Sequence, residues 1–374
     1  MYRARCMSLC YTERSMKTIL ITGAGGAPAT NFVRSLRMAK DEKYRLIGVD
    51  ADKYYLQRAE TDERHLIPLA SDPEYLPILN QIITETGSEL VFAQPDFEIA
   101  FLSEHREKLA CKVFLPDSET IRICQNKYRS YECWAKAGLP VPQTMMLRTE
   151  ADLDQAFADF GPRIWIRATE GAFGKGSLPT ENRDQAKAWL DFQRGWGTFC
   201  AAQCLEKESI TWQSIWKDGE LIVAQGRKRL YWEFANRAPS GVTGLTGTGV
   251  TVRDPALDAL ALRAIAAIDQ KPHGIFSVDM TYDKHGTPNP TEINIGRFFT
   301  THLFFTSAGL NMPEMYVKLA FNEALPLITQ KMSPLPTNLA WIRGMDIEPI
   351  LTTVEEIERD VTALEKRRSS VRAQ

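Results

Sequence analysis

Long apolar runs, a strong net charge and paired cysteines are all missing from this sequence. No stretch approaches the roughly 18 consecutive apolar residues that a membrane span requires. The 45 basic and 47 acidic residues leave a formal net charge of -2, which gives no general reason to expect nucleic acid or an anionic membrane as a partner. The seven cysteines include no C-x-x-C pair, so zinc-site and redox spacings are absent, and their odd number favours reduced thiols in the cytoplasm.

The length of 374 residues suits two or three domains of roughly 100 to 200 residues each. Residues 1–15 are basic but lack the apolar core of a signal peptide. A clean strand pattern begins only after Met16. We therefore expect residues 1–15 to be a disordered leader or an artefact of the chosen start site.

A hairpin is predicted over residues 274–298. Its first strand pattern, residues 276–282, is rich in aromatic and β-branched side chains, and its second, residues 291–295, alternates polar and apolar side chains. The residues between them include the turn-forming pair His285-Gly286.

If that pair is a two-residue turn, Asp279 lies opposite Glu292, and Asn294 points to the same face. Two carboxylates roughly 5 Å apart repel each other unless a cation lies between them. Asp, Glu and Asn also supply the oxygen atoms that Mg²⁺ takes as ligands. The hairpin therefore predicts a metal site, with a solvated hairpin as the alternative and with Pro288 and Pro290 as residues that could shift the pairing.

Strand and helix patterns alternate from residue 17 to residue 115, which predicts a parallel sheet with helices on both faces. The first strand runs into a glycine-rich turn at residues 23–28, and the second ends at Asp50, as in a dinucleotide-binding unit. The G-x-G-x-x-G fingerprint is incomplete, however, because position 28 is Pro28, which has no N–H to donate to a phosphate. A nicotinamide-dependent oxidoreductase is kept as an alternative.

A second glycine-rich segment follows a short apolar strand pattern that ends at Arg167. Its glycines are Gly171, Gly174 and Gly176. Such a segment can hold a triphosphate, because glycines let backbone N–H groups approach the phosphates and the cation balances their charge. It is not a P-loop, which needs Gly-Lys-Ser/Thr at the start of a helix.

In their order along the chain, these segments resemble the ATP-grasp superfamily, which includes the carbamoyl-phosphate synthetase large chain and carboxylate–amine ligases. The resemblance covers about residues 17–345. It implies an α/β and α+β fold, with a Rossmann-like pre-ATP-grasp domain at residues 16–117 and an ATP-grasp domain at residues 118–350. Residues 351–374 are expected to form a C-terminal helix and tail.

The resemblance also implies which residues bind the nucleotide. The positions that match the family's phosphate contacts are Lys127, Arg167, Gly171, Gly174 and Gly176.

By the same resemblance, the backbone of Gln203, Cys204 and Leu205 pairs with the adenine edge, and Glu208 accepts from the ribose hydroxyls. Many relatives have Gly before that glutamate, where this chain has Lys207, and Glu206 is an alternative for the role.

Asp279, Glu292 and Asn294 match the family's Mg²⁺ ligands, while Arg297 and Arg167 match the cations that stabilise the transferred phosphoryl group. Two departures are visible. Many members have Asn-Pro-Arg, whereas Arg297 lies one position further on here, and the family commonly has Lys where this chain has Arg167.

Residues 235–249 are rich in Gly and Thr and follow the basic run that ends at Arg229. Long polar loops are often functional. We expect the acceptor substrate to bind here with Arg229 as an anion contact, and a surface-exposed basic cluster is the alternative.

The implied function is an ATP- and Mg²⁺-dependent ligase, with Mn²⁺ as a substitute metal. It activates a carboxylate as an acyl phosphate, which an amine or another nucleophile attacks, with release of ADP and phosphate. The expected partners are small-molecule carboxylates and amines rather than nucleic acid or a membrane, the expected location is the cytoplasm, and a homo-oligomer is left open. A non-catalytic ATP-binding protein is the second alternative.

Overall fold

The computed structural model describes residues 16–40, 42–171, 174, 176–206, 208–344 and 352–373. The leader predicted at residues 1–15 lies outside this part of the chain. The described strands form three sheets, of five, four and six strands. A parallel sheet followed by antiparallel sheets confirms the predicted α/β and α+β fold class, whereas the predicted domain boundaries remain a prediction.

The first sheet is parallel and is covered by helices. Its strands are β1 (Lys17–Thr22), β2 (Tyr44–Asp50), β3 (Glu63–Leu66), β4 (Leu90–Phe92) and β5 (Lys112–Val113), in the order β3-β2-β1-β4-β5. Its helices are α1 (Ala27–Arg37), α2 (Lys53–Leu56), α3 (Tyr75–Thr86) and α4 (Asp96–Glu104). Consecutive β1 residues Ile19, Leu20 and Ile21 are all 0% exposed, as expected for a strand buried on both faces. The short, largely polar β3 carries no strand pattern and was not predicted.

The second sheet is antiparallel and follows two helices, α5 (Ser118–Gln125) and α6 (Lys127–Lys136). Its strands are β6 (Thr144–Leu147), β7 (Ile164–Ala168), β8 (Leu178–Thr180) and β9 (Phe199–Gln203), in the order β6-β9-β7-β8. Its helices are α7 (Glu150–Phe160), which begins with a capping box at Thr149 and Asp152, and α8 (Arg183–Gln193).

The third sheet is also antiparallel. Its strands are β10 (Ser209–Lys217), β11 (Glu220–Trp232), β12 (Thr246–Val252), β13 (Gly274–Tyr282), β14 (Pro288–Ile295) and β15 (Ala340–Ile342). They lie in the order β14-β13-β10-β11-β12-β15. The remaining helices are α9 (Pro255–Ala266), α10 (Leu303–Ser307), α11 (Met312–Ala320) and α12 (Val354–Arg372).

The predicted pairing of Asp279 with Glu292 is confirmed, although the two-residue turn is wrong. The chain turns over residues 283–287, and a bulge at Thr291 restores the pairing that the longer turn would have shifted. The prolines of β14 are tolerated because β14 is an edge strand.

Two other predictions are wrong in part. The loop predicted at residues 235–249 ends earlier, because Thr246 already begins β12. The glycines there make room for bulky neighbours: a Cβ on Gly247 would lie 2.0 Å from the Tyr231 ring. The single helical cap predicted at residues 300–321 is two helices, interrupted at Gly309, whose φ is 102°.

The last predicted strand, residues 338–350, is present only as the three residues of β15, and residues 345–350 lie outside the described residues. The final helix is confirmed and extends to Arg372.

An aromatic cluster joins the parallel sheet region to the segment after β14 and to α11. Phe32 of α1 stacks on Phe92 of β4 with 3.8 Å between ring centroids, and both contact Phe298 and Tyr316. None of the described helices is both long and apolar enough to cross a membrane.

Candidate active site

One end of the six-stranded sheet carries a face that is polar and yet largely buried. The side chains on this face come from alternate positions of four strands: Ser209, Thr211, Gln213, Gln225, Arg227, Arg229, Ser277, Asp279, Glu292 and Asn294. The intervening residues, such as Trp212 and Val278, pack into the hydrophobic core on the other face. Burying so many polar groups is unfavourable unless they are paired, which marks this face as the candidate site.

The polar face is organised around a row of four residues that lie opposite one another on adjacent strands. In order across the sheet these are Glu292, Asp279, Thr211 and Arg227. The Thr211 hydroxyl donates to Asp279 Oδ1 at 2.5 Å and accepts from Arg227 Nη2 at 3.1 Å. The row therefore passes from acidic to basic side chains in three steps between strands.

The acidic end of the row contains the three predicted metal ligands. The Asn294 amide nitrogen lies 3.1 Å from Asp279 Oδ2 and 3.5 Å from Glu292 Oε1. Burial raises the pKa of Asp279, and Arg229 offsets only part of that rise. Burial would raise the pKa of Glu292 as well, but the charges of Lys127 and its neighbouring arginines outweigh it and lower that pKa.

The two carboxylates fit a hard cation, since each offers oxygen atoms on one face of the sheet. Asn294 fits less directly: its amide oxygen accepts from Arg297 Nη2 at 2.8 Å, so its nitrogen faces the carboxylates. Within the described residues, no three His, Cys, Asp or Glu side chains are grouped to hold a metal ion. The site thus offers two carboxylate ligands, and Asn294 would join them only after its amide turns.

Three predicted cations surround Glu292. Lys127 Nζ lies 3.6 Å from Glu292 Oε2 and donates to the Gly171 carbonyl at 2.6 Å. Arg167 Nη1 donates to the Thr291 carbonyl at 3.2 Å, while its buried Nε has no hydrogen-bond partner among the described residues. Arg297, two residues beyond β14, completes the group, so helix α6, strand β7 and the segment after β14 bring their basic side chains to one carboxylate.

Arg297 is held by a residue that the sequence did not indicate. Its Nε donates to Asp96 Oδ1 at 2.6 Å, and Asp96 lies 201 residues earlier, at the start of α4. Burial opposes the charge of Arg297, but Asp96 outweighs it and raises the pKa of the guanidinium. The parallel sheet region thus orients a side chain of the candidate site.

The described residues of the second glycine-rich segment adopt backbone conformations that suit glycine. Gly171, Gly174 and Gly176 have φ values of 100°, 65° and 81°. A Cβ on Gly174 would lie 2.5 Å from the Val242 carbonyl, so this segment packs directly against the loop that follows β11. Gly174 and Gly176, but not Gly171, line a cavity of about 310 Å³ together with Phe234 and other residues of that loop.

The predicted hinge lies at the end of β9. Among the described residues, no backbone hydrogen bond uses the amide groups of Cys204 or Leu205, whereas the N–H of Gln203 is bonded to the Gln143 carbonyl. The free groups of Cys204 and Leu205 could therefore meet a base edge. Glu208 is exposed, and its carboxylate lies 2.7 Å from Lys228 Nζ.

The glycine turn after β1 is closed by its own neighbours. A Cβ on Gly25 would lie 1.8 Å from the Tyr55 carbonyl oxygen, and the Gly25 N–H donates to Asp50 Oδ2 at 3.1 Å. The groups that a dinucleotide would need at this turn are therefore already engaged, which disfavours the oxidoreductase alternative.

Sequence interpretation missed Asp96, Thr211 and Arg227. The last two carried a signal: polar residues at every second position of β10 and β11 indicate a polar strand face. Asp96 carried none, because its contact with Arg297 depends on the packing of two distant regions.

No protein-family model matches the chain. A D-alanine–D-alanine ligase of Nitrosospira multiformis is 27% identical over 212 residues, which are 53% of this chain and 66% of that enzyme. The chain thus matches slightly less than two thirds of its relative's length.

Two solved structures are similar over most of the chain. One is the biotin carboxylase domain of Hydrogenobacter thermophilus 2-oxoglutarate carboxylase, in complex with MgADP, ADP and bicarbonate. Its TM-score is 0.67 at 16% sequence identity, and the match covers 87% of this chain and 74% of that one. The other is an L-amino acid ligase from Bacillus licheniformis, with a TM-score of 0.63, 14% identity, and coverage of 82% and 75%. At these identities the likeness shows the fold, which this chain shares with both enzymes.

Proposed function

We propose that this chain is a ligase that uses Mg²⁺-ATP to activate a carboxylate and join it to an amine or another nucleophile. An oxygen of the carboxylate attacks the γ-phosphorus, the bond to ADP breaks, and an acyl phosphate forms. The nucleophile then attacks the acyl carbon, phosphate leaves with the bonding electrons, and the amine loses a proton. The observation that carries the proposal is the paired Asp279 and Glu292, with three cations around Glu292.

The chain's own residues bind and orient in this scheme. Lys127 and Arg167 lie where they can balance the charge of nucleotide phosphates, and Arg297, fixed by Asp96, can stabilise charge on the group in transfer. Mg²⁺ bound by Asp279 and Glu292 would neutralise further phosphate charge. No side-chain nucleophile is needed.

Nucleotide binding follows from the same arrangement. We assign the adenine edge to the backbone of Cys204 and Leu205 and the ribose to Glu208, which would exchange Lys228 for the hydroxyls. The similar ligases and the structure that holds MgADP support this assignment.

The expected partners are small-molecule carboxylates and amines, and we propose a cytoplasmic location. The five described cysteines, Cys111, Cys124, Cys133, Cys200 and Cys204, are free thiols, in keeping with a reducing compartment.

The test is ADP release from Mg²⁺-ATP with pooled carboxylates and amines, for the wild type and the Asp279→Asn and Glu292→Gln variants. Glu220→Gln is the matched control, because Glu220 is exposed and, among the described residues, pairs with Lys331 alone. We expect ADP with particular pools, a loss on the order of 100-fold or more in both site variants, and no loss in the control. Mg²⁺-ATP binding without ADP from any pool would favour a non-catalytic nucleotide-binding protein, and no ATP binding at all would refute the assignment.

A further inference from the structure

Arg227 and Arg229 are two buried cations at the basic end of the polar face. They are 2% and 9% exposed. Among the described residues, Arg229 forms one ion pair, with Asp279, whose Oδ1 lies 3.9 Å from Nη2, and Glu292 adds a weaker attraction. Arg227 forms no ion pair with a described residue. Burying a charge costs several kcal/mol unless an opposite charge compensates it. Among the residues that the structure describes, the pair is therefore short of negative charge.

Neutral hydroxyl groups hold the pair in place. Thr246 Oγ1 accepts from Arg227 Nη1 at 3.2 Å and from Arg229 Nε at 2.9 Å, and Thr211 Oγ1 accepts from both guanidiniums at 3.1 and 3.3 Å. Ser209 accepts a further bond from Arg229 at 2.6 Å. Hydroxyls orient the two side chains but leave their charge in excess, and the buried Nε of Arg227 has no hydrogen-bond partner in the described part of the chain.

The surroundings favour the binding of an anion by this pair. The Arg229 guanidinium stacks 3.5 Å from the Trp232 ring centroid, and that of Arg227 lies 4.7 Å from the Phe299 ring. A Cβ on Gly249 would lie 2.6 Å from the Arg227 side chain, so glycine is needed for Arg227 to fit. Burial and the charge of Arg229 lower the pKa of Arg227 to about 9. Apolar walls around fixed donors strengthen a charge-assisted hydrogen bond.

The pair is separate from the cations assigned to the nucleotide. Arg167 and Arg297 surround Glu292 on β14, whereas Arg227 lies on β11, three strands away and thus roughly 14 Å across the sheet at about 4.8 Å per strand. Asp279 lies between the two groups. An anion at the arginine pair would therefore be a neighbour of the metal carboxylates without being part of the nucleotide.

We propose that Arg227 and Arg229 bind a second anionic group of the acid substrate, in addition to the carboxylate that is phosphorylated. The inference rests on the proposed function. A carboxylate clamped by two guanidiniums has its oxygen lone pairs committed to hydrogen bonds, whereas the reacting carboxylate must present a free oxygen to phosphorus. Binding by two guanidiniums therefore suits the group that does not react. The substrate is a dianionic acid in the sense that it carries two anionic groups, and it is either a dicarboxylate or a carboxylic acid that carries a phosphate.

The test compares dianionic acids with monoanionic acids of the same size. Succinate and glutarate are titrated calorimetrically into the full chain with MgADP, beside succinamate and glutaramate, and 3-phosphoglycerate tests the phosphate as the second group. We expect at least one dianion to bind about tenfold or more tightly than the monoanionic acids. Comparing the affinities of the dicarboxylates with that of 3-phosphoglycerate identifies the second anionic group as a carboxylate or a phosphate.

Arginine variants test whether the preference for dianionic acids depends on this pair. Arg227→Gln and Arg229→Gln are each expected to abolish it, while Arg229→Lys retains part of it because the charge stays but the planar fork is lost. Arg253→Gln is the control for loss of an arginine alone, since Arg253 is an exposed arginine that donates to the Ser333 carbonyl away from the polar face. Retained Mg²⁺-ATP binding shows that a variant is folded, and Arg229→Lys provides the test if a glutamine variant does not fold.

The proposal is overturned if no dianion in the panel binds, if monoanionic acids bind as tightly, or if the preference survives in the arginine variants. Its failure is distinguishable from failure of the proposed function. If dianions bind in a way that depends on the arginine pair but no ADP is released, the anion subsite is supported and the proposed ligase function is refuted. If monoanionic acids give ADP release and the arginine variants leave it unchanged, the proposed ligase function is supported and the anion subsite is refuted.

Discussion

The five-stranded and six-stranded sheets place their buried polar groups differently. In the parallel sheet, consecutive β1 residues such as Ile19 and Leu20 are fully buried, so both faces of the strand are apolar. In the six-stranded sheet, Val278 packs into the core while Asp279 beside it points to the polar face. A strand with two apolar faces specifies the fold, and a strand with one buried polar face also specifies a site.

The boundary between the two regions combines both kinds of contact. Phe32 and Phe92 stack within the aromatic cluster, and Asp96 holds Arg297 beside it. The parallel sheet region therefore contributes apolar packing to stability and one carboxylate to the site. Variants in each part should separate these two contributions.

The largest expected effect is on packing. Phe92→Ala removes a fully buried ring that stacks on Phe32, so the free energy of unfolding should fall by about 3–5 kcal/mol in chemical denaturation. Phe192→Ala is the matched control, because Phe192 is 79% exposed, and its effect should stay within about 0.5 kcal/mol. Equal losses in the two variants would contradict a structural role for the aromatic cluster.

The next effect concerns a buried carboxyl group in the parallel sheet region. Burial raises the pKa of Glu98 to about 7, with Asp50 adding to the rise and Thr22 and Tyr75 opposing it. Between about pH 4.5 and 7 the folded protein keeps this proton and the unfolded chain releases it, so the free energy of unfolding falls as pH rises through that window.

Glu98→Gln should remove this dependence. We expect the variant to be more stable than the wild type by on the order of 2 kcal/mol at pH 8, with the difference shrinking toward pH 4.5, in denaturation curves taken across that range. Glu104→Gln, an exposed change on the same helix, is the control. A difference that does not vary with pH would show that Glu98 is not protonated as described.

The smallest effect tests the link between the two regions. Asp96→Asn weakens the hold on Arg297, so the rate of ADP formation should fall about tenfold, while nucleotide affinity changes little. Asp154→Asn, which affects an exposed pair with Arg183, is the control for loss of an ion pair alone. An unchanged rate in Asp96→Asn would mean that Arg297 needs no support from the parallel sheet region.

Much of the fold could be predicted because local patterns determine it. Alternating strand and helix patterns indicated the parallel sheet, and the polar alternation of β14 placed Glu292 and Asn294 on one face. The turn was misjudged because a bulge at Thr291 changes the residue count on one strand only. The alternation of polar and apolar residues along a strand still predicts which residues share a face after such a change, whereas a turn assigned from two residues is then misplaced.

The rest of the site depended on contacts between distant segments. Asp96 meets Arg297 through the packing of the aromatic cluster, which no local pattern encodes. The glycines of β12 suggested a loop, yet Gly249 is required by the Arg227 side chain on the neighbouring strand. Local composition gives the conformations that a residue permits, and tertiary packing selects among them.

The central claim is that the polar face binds ATP through a metal held by Asp279 and Glu292. The most direct measurement is calorimetric titration of ATP into the wild type and the Asp279→Asn and Glu292→Gln variants, each with Mg²⁺ and with EDTA. The account predicts that the wild type binds ATP at least about tenfold more tightly with Mg²⁺, and that this gain disappears in both variants. Equal affinity with and without Mg²⁺, or a full gain in both variants, would contradict it.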